Sequence, residues 1–232
     1  MNLLAIGAYA SEIVLLCGGT LAKYSLAGHS VAIAVMSRAG TRYPEFTQEM
    51  AEAEAQEFRH AAAVISASTY DLQLPQFDLR DDYETKLKVT EIIRQVQPKL
   101  IITHDRNDYT ADHRTTSEIV TESMFMSKQE GIKTESPAIG QHPDVAFMDT
   151  VAGIAFDPEQ YVDITKVIDV KRRMLQAFER EVEDFKDNPV VETLELMEVT
   201  GRYRGIQSGY RYAEAFRWPH RWGFSPGQPM LI

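Results

Sequence analysis

Short, continuous apolar runs alternate with segments of helical spacing along the first half of the chain. The runs NLLAIGA (2–8), HSVAIAVMS (29–37) and PKLIITH (98–104) lack the polar–apolar alternation of a half-exposed strand. Each therefore predicts a strand that is buried on both faces. STYDLQL (68–74) predicts a further strand. Strands that are joined by helices predict an α/β chain with a Rossmann-like, doubly wound, mostly parallel sheet.

The segments between these strands have helical composition and spacing. A helix is predicted to begin at Glu12 and to stop near Gly28, since glycine favours helix ends. Three more helices are predicted over 44–65, 82–97 and 111–126. After Ser127 the sequence predicts a polar loop (127–144), strands at 145–150 and 153–157, and long helices over 163–187 and 190–205. We expect one domain over 1–232, with residues 1–127 as the Rossmann-like core and 128–232 completing it.

Charge and cysteine content exclude several classes of function. The formal net charge of −10 lacks the basic footprint of a general nucleic-acid binder, and it disfavours an anionic membrane surface. Cys17 is the only cysteine in the sequence, so no disulfide forms within the chain, and a core position suits it. The first apolar run fits neither a signal peptide nor a membrane span, because Ser11 and Glu12 interrupt it. We expect a cytoplasmic protein that handles a small polar metabolite.

Polar side chains cluster where two predicted strands end. GAYASE (7–12) follows the first strand, and THDRNDYTADHR (103–114) follows the run PKLII. Neighbouring strands of such a sheet bring the loops at their carboxyl ends together. The second loop is dense in histidine and aspartate, which are common ligands of divalent metals. Its ligand-type residues are His104, Asp105, Asp108, Asp112 and His113.

A purely structural interpretation of the second loop is also open. Asp108 and Asp112 suit turn and N-cap positions, because aspartate is a favoured N-cap, and His104 then caps the sheet. Glu214, in the closing segment, similarly suits a buried pair with an arginine.

Three motifs resemble the PIG-L/LmbE family of zinc-dependent N-deacetylases, and the resemblance covers nearly the whole chain. The family opens with a strand and AHPDD, then a helix containing GCGGTLAKY; this chain has AYASE and LCGGTLAKY. The second family motif is similar to THxxNDxHxDHR, and this chain has THDRNDYTADHR. RGIQSGYRYAEAFR resembles the closing segment of the family. The resemblance implies the PIG-L/LmbE deacetylase-like fold and zinc as cofactor.

The resemblance also assigns roles to positions of this chain. The first histidine and last aspartate of AHPDD bind zinc in the family, and its first aspartate is the general base. Tyr9, Glu12 and Ser11 occupy these positions here. His113 matches the third zinc ligand, and Thr110 stands where the family has an oxyanion-stabilising histidine. The remaining roles that we assign are catalytic for Asp112 and substrate-binding for Tyr9, His104, Arg106 and Asp108.

These replacements predict that ordinary deacetylation is nearly abolished. A tyrosine phenol, with a pKa of about 10, is a poor zinc ligand at neutral pH. Ser11 is no base without a partner, and loss of a general base alone costs ~100–10,000-fold in rate. Loss of an oxyanion donor at Thr110 costs a further ~100–1,000-fold. Glu12 and His113 remain as metal ligands, so the thinned set predicts weakened zinc binding.

Three hypotheses follow, in this order. The first is a degenerate family member without deacetylase activity, acting as a binding protein or as a partner of an active paralogue. The second is a hydratase or hydrolase of a small polar metabolite with a site rebuilt around Glu12, Asp112 and His113. The family resemblance embraces hydratases of carboxylated metabolites. The third is a conventional zinc deacetylase with a rebuilt site. Family analogy also suggests a homo-oligomer.

Overall fold

The structure is a computed structural model that describes residues 1–38, 47–184, 190–219 and 230. Strands and helices alternate over most of this part of the chain, in the order β1 (Asn2–Gly7), α1 (Ala10–Leu26), β2 (Ser30–Arg38), α2 (Gln48–Ala63), β3 (Ser68–Pro75), α3 (Tyr83–Val96), β4 (Leu100–Thr103), α4 (Ala111–Ser127), β5 (Asp144–Met148), β6 (Gln160–Asp163), α5 (Ile168–Gln176), α6 (Glu179–Asp184), α7 (Thr193–Ser208) and β7 (Ala213–Arg217). Within the described residues no helix is both long and apolar enough to cross a membrane.

The strands form one seven-stranded sheet in the order β3-β2-β1-β4-β5-β7-β6. The first five strands in this order pair in parallel, while β7 runs antiparallel to both of its neighbours. The predicted mostly parallel α/β sheet is confirmed. The sheet continues without interruption from the first half of the chain into the second, because β4 pairs with β5.

Two apolar layers cover the two faces of the sheet. One cluster packs α1 and α5 against the sheet through residues such as Ile13, Leu21 and Leu175. The other packs α3 and α4 through residues such as Val89, Ile93 and Val120. Covered on both faces, the central strands β1 and β4 contain almost only apolar residues, as their sequences predict.

The end of the chain departs from prediction in two places. Residues 153–157 form no strand; β6 lies further along, at Gln160–Asp163, and pairs with β7, which the sequence did not mark as a strand. The long helix predicted over 163–187 is split into α5 and α6. It breaks because Phe178 turns into the core, and the N–H of Phe178 donates to the Leu175 carbonyl three residues back. Positions 185–187 lie outside the described residues.

The glycine pair of α1 lets a carboxylate from β7 approach the helix backbone. Glu214 is buried and accepts hydrogen bonds from the N–H groups of Gly19 (2.8 Å) and Thr20 (2.7 Å). The sequence suggested an arginine partner for Glu214, which was wrong: Nζ of Lys171 donates to its carboxylate at 2.6 Å. The contact joins α1, α5 and β7, so the two family-like motifs that carry Gly19 and Glu214 meet in the core. Cys17 is buried in the same layer.

Candidate active site

The two polar turns meet because β1 and β4 are adjacent and parallel. Ile6 of β1 pairs with Thr103 of β4, so both strands end at the same edge of the sheet. The first turn leads directly into α1 and the second into α4, and each helix therefore begins at the site. The structure brings together most of the residues singled out in the sequence.

Glu12, His113 and Asp108 form a chain of alternating charge at the centre of the site. Glu12 Oε2 lies 2.6 Å from His113 Nε2, and Asp108 Oδ2 lies 3.0 Å from His113 Nδ1. Burial opposes the charged imidazolium, but the carboxylates of Asp108 and Glu12 outweigh it and raise the pKa of His113 to about 9. His113 is therefore positively charged at neutral pH, and it fixes one oxygen of Glu12.

His104 faces the backbone of the first turn. Its Nε2 accepts a hydrogen bond from the N–H of Ala8 at 3.0 Å, and burial followed by the charge of His113 lowers its pKa well below the usual value. His104 is thus neutral, with its proton on Nδ1, which has no hydrogen-bond partner among the described residues. The ring stacks on His113 with centroids 3.9 Å apart and planes inclined by 5°.

Tyr9 is tied to Asp112 across the entrance of the site. The Tyr9 hydroxyl donates to Asp112 Oδ2 at 2.6 Å, and the N–H of Phe77 donates to the same oxygen at 2.8 Å. Burial, and then the hydrogen bond and charge of Asp112, raise the pKa of Tyr9 well above its usual value. The phenol therefore stays protonated. Asp112 holds Tyr9 and the loop after β3 together, rather than acting as the predicted side-chain cap of α4.

The other predicted site residues divide between the cavity and the surrounding shell. Ser11 and Thr110 line the cavity, as do Tyr9 and Glu12. Asp108 is buried behind His113, and its Oδ1 accepts from the N–H of Thr110 at 2.7 Å, so the predicted turn role is present alongside the ion pair. Arg106 is exposed and lies over the face of Phe147, away from the residues that line the cavity.

The cavity, of about 480 Å³, extends well beyond the predicted site. It runs from the first turn along the ends of β2 and β3 to α2 and α6. Sequence reasoning missed the charged residues at that far end, which are Arg38, Glu54, Glu57, Asp71 and Arg180. Arg38 is the last residue of β2, so the rule that placed the other loops at the carboxyl edge also locates this one. Glu54 carried no such signal, because it lies in an acidic helix that resembles a solvated one.

A catalytic zinc ion normally has three protein ligands. Glu12, His104 and His113 each place a ligand atom within 4.8 Å of the others. However, the lone pairs of imidazole lie in the plane of the ring. Because the two rings are stacked almost parallel, one ion cannot lie along a lone pair of each, and Nε2 of His104 already accepts from Ala8. Glu12 and His113 alone can face one ion in this arrangement, so the set does not fit a conventional catalytic zinc.

Comparison with known proteins agrees with the motifs. The family model described as PIG-L, GlcNAc-PI de-N-acetylase, matches residues 4–124, more than half of the chain. The chain belongs to the PIG-L family. The matched region includes both turns of the candidate site.

Among the proteins that are similar to this chain, some are named hydratases and others are named deacetylases. A 4-oxalmesaconate hydratase of Pseudomonas putida KT2440 is 25% identical over 184 residues, covering 75% of this chain and 71% of the relative. Two crystal structures have similar folds. GalB, the 4-carboxy-2-hydroxymuconate hydratase of P. putida KT2440, is 21% identical, with a TM-score of 0.79 over 97% of this chain and 99% of that one. N,N'-diacetylchitobiose deacetylase of Pyrococcus horikoshii is 22% identical, with a TM-score of 0.80 over 93% and 82%.

Proposed function

We propose that this PIG-L protein catalyses the addition of water to a small polar metabolite, as a hydratase, and is not a conventional zinc-dependent N-deacetylase. The observation that carries the proposal is the position of Glu12. It lines the cavity with 23% of its side chain exposed, while its Oε2 is fixed by His113 at 2.6 Å. Its other carboxylate oxygen forms no hydrogen bond within the described residues, and this oxygen faces a water molecule in the proposed mechanism.

The chemistry that this arrangement supports is general base catalysis. Glu12 takes a proton from water as the water oxygen bonds to an electrophilic carbon of a conjugated C=C bond. The electron pair of the double bond moves towards the conjugated carbonyl group and ends as a new C–H bond once the neighbouring carbon takes the proton from protonated Glu12, which restores the carboxylate. His113, ion-paired with Asp108 at 3.0 Å, positions Glu12 throughout. Thr110 offers a hydroxyl group to the ligand from the cavity wall, which Tyr9 also lines while its own hydroxyl donates to Asp112.

Two further observations support hydration over deacetylation. The relative that is 25% identical is named a hydratase, and its match covers three quarters of this chain. In addition, the described residues of the site do not direct three ligand atoms at one ion, because Tyr9 is bound to Asp112 and His104 is stacked on His113. This arrangement supports hydration over a zinc-activated attack of water on an amide.

The test is a substrate panel assayed with the purified full chain. Unsaturated 2-oxo acids with and without an amino group, including 4-oxalmesaconate and 4-carboxy-2-hydroxymuconate, are followed by loss of conjugated absorbance, and N-acetylglucosamine derivatives by acetate release. We expect hydration of at least one unsaturated acid, a loss of ~100–10,000-fold in Glu12→Gln, and no acetate release. Glu49→Gln, on the exposed start of α2, serves as the charge-matched control. Zinc-stimulated acetate release, or hydration of no panel member, would contradict the proposal.

A further inference from the structure

The far end of the cavity contains several charged residues, and most of them form hydrogen bonds or ion pairs with other residues of the protein. Arg38 Nε and Nη2 both donate to Asp71 Oδ2, at 2.9 Å and 2.6 Å. Glu57 accepts a hydrogen bond from the backbone N–H of Arg180 at 3.1 Å, and Nη1 of Arg180 donates to the Met50 carbonyl at 3.4 Å. These contacts tie β2 to β3 and α2 to α6.

Glu54 is the exception among them. It lies on α2, half-buried in the cavity wall, and within the described residues it forms no hydrogen bond and no ion pair. Burial is the main cause that raises its pKa, to about 7; Glu57 and Asp71 raise it further, while Arg180 and Arg38 oppose the rise. An unpaired, partly desolvated carboxylate is costly, and such groups concentrate at functional sites.

Among the described residues that line the opposite end of the cavity, no comparable unpaired carboxylate is present. Glu12 is paired with the His113 imidazolium. Apolar side chains of Val35, Phe58 and Phe178 line the wall as well. A ligand in this cavity therefore meets one carboxylate that has no hydrogen bond or ion pair within the described residues, and this carboxylate favours a cation over a neutral or anionic group.

We propose that Glu54 determines specificity by binding a positively charged amine of the substrate. The inference rests on the proposed function, since it assigns the substrate class of the same cavity. It also separates this chain from its relative named for oxalmesaconate, because a polycarboxylate would place a like charge beside Glu54.

The experiment uses three probes that share one sugar ring and differ in charge. They are methyl 6-amino-6-deoxyglucoside, methyl glucoside and methyl glucuronoside, and calorimetry or ligand-observed NMR gives the dissociation constant of each for the full chain at pH 8. We expect the cationic probe to bind most tightly, the neutral probe less tightly and the anionic probe most weakly. Glu54→Gln is expected to weaken binding of the cationic probe by about tenfold, the equivalent of one charge-assisted hydrogen bond. The variant is also expected to lose the preference for this probe over the other two.

A second measurement at pH 6 tests the same residue without changing it. Glu54 is then mostly protonated, and the amine is expected to bind about tenfold more weakly than at pH 8. The charged groups that face the same carboxylate are Glu57, Asp71, Arg38 and Arg180, and the Glu54→Gln variant retains all of them, so any pH dependence that survives in this variant does not come from Glu54. The control variant Glu49→Gln is expected to keep both the order of the three affinities and the pH dependence of amine binding.

The result that would overturn the inference is equal or tighter binding of the anion, no detectable binding of the amine, or an unchanged order in Glu54→Gln. Failure of the proposed function can be told apart from failure of this inference, because hydration is measured by turnover and the specificity of Glu54 is measured by binding. Glu12→Gln is expected to lose hydration and to retain the order of the three probes.

Discussion

The position of Glu54 also predicts an effect on stability, since its carboxylate is held on the cavity wall without a hydrogen bond or ion pair within the described residues. Its pKa in the folded protein, about 7, lies above the ordinary value of 4.5. Between these values the folded state binds more protons than the unfolded state, so the free energy of unfolding falls as pH rises through this window. Glu54→Gln is therefore expected to raise the free energy of unfolding by ~1 kcal/mol at pH 8, after allowance for solvent screening, and to leave this free energy unchanged at pH 4.

Urea denaturation at both pH values measures this difference. Glu49→Gln removes the same charge from an exposed position of the same helix, and we expect it to change the free energy of unfolding by less than Glu54→Gln does. A destabilised Glu54→Gln protein at pH 8 would show that the carboxylate has a partner after all. A stabilised protein that binds the amine probe less tightly is the usual trade-off between stability and function.

Asp108 is expected to set the charge of His113. Burial lowers the pKa of His113, and its value of about 9 depends on the two carboxylates that flank the ring. Asp108→Asn removes one of them, so the pKa is expected to fall towards 6.5. NMR titration of the imidazole nitrogens measures it directly. Glu12→Gln is the companion variant and should lower the pKa in the same direction; a pKa that stays near 9 in both would contradict the charge chain.

At the scale of the element, α1 depends on the close approach of β7 at Gly19. A Cβ at this position would lie 2.8 Å from Ile164 Cγ2 and 3.0 Å from Glu214 Oε1, and both side chains are buried. Gly19→Ala is therefore expected to lower the free energy of unfolding by ~1–3 kcal/mol, the cost of overpacking a core. Chemical denaturation measures it.

Gly18→Ala is the matched control for this prediction. Both substitutions gain the same helix propensity, but a Cβ at Gly18 meets only Val14 Cγ1 within 3.4 Å, at 3.1 Å. The difference between the two variants therefore isolates the crowding at Ile164 and Glu214. Equal effects of the two variants would mean that the approach of β7 does not require glycine.

The elements that sequence predicted well are those whose signal is local. β1, β2 and β4 are continuous apolar runs, and the loops at their carboxyl edge follow from parallel pairing alone. The strand β7 and the break between α5 and α6 depend on distant partners: β7 pairs with β5 and β6, and the break follows the burial of Phe178. Glu54 was missed for the same reason, because its helical pattern does not reveal that a cavity lies against it.

At the scale of the whole molecule, the second half of the sheet supports the site in the first half. Arg217 of β7 pairs with Asp105 at 2.6 Å, directly after His104, and Glu214 of the same strand holds α1. β7 therefore contacts the second turn directly, through Asp105, and supports the first turn through α1. The contacts of β7 thus support both turns of the site in this PIG-L protein.

This support of both turns predicts that the conventional zinc site can be restored. The combined substitution of Tyr9→His, Ser11→Asp, Glu12→Asp and Thr110→His returns the family residues to positions that already meet at the ends of β1 and β4. It removes the phenol that occupies Asp112 and supplies, with His113, the three ligands that catalytic zinc requires. We expect about one zinc ion per chain in the fourfold variant and much less in the wild type, measured by elemental analysis of protein purified without chelator.

The control for this prediction is the fourfold variant that also carries His113→Ala. It removes the ligand that the chain already has, so its zinc content is expected to return to the wild-type level. Stoichiometric zinc in the wild type, lost on His113→Ala, would contradict the geometric argument from the stacked rings of His104 and His113. A fourfold variant that folds but binds no zinc would instead place the obstacle in the backbone of the two turns, and the divergence would then extend beyond the four side chains.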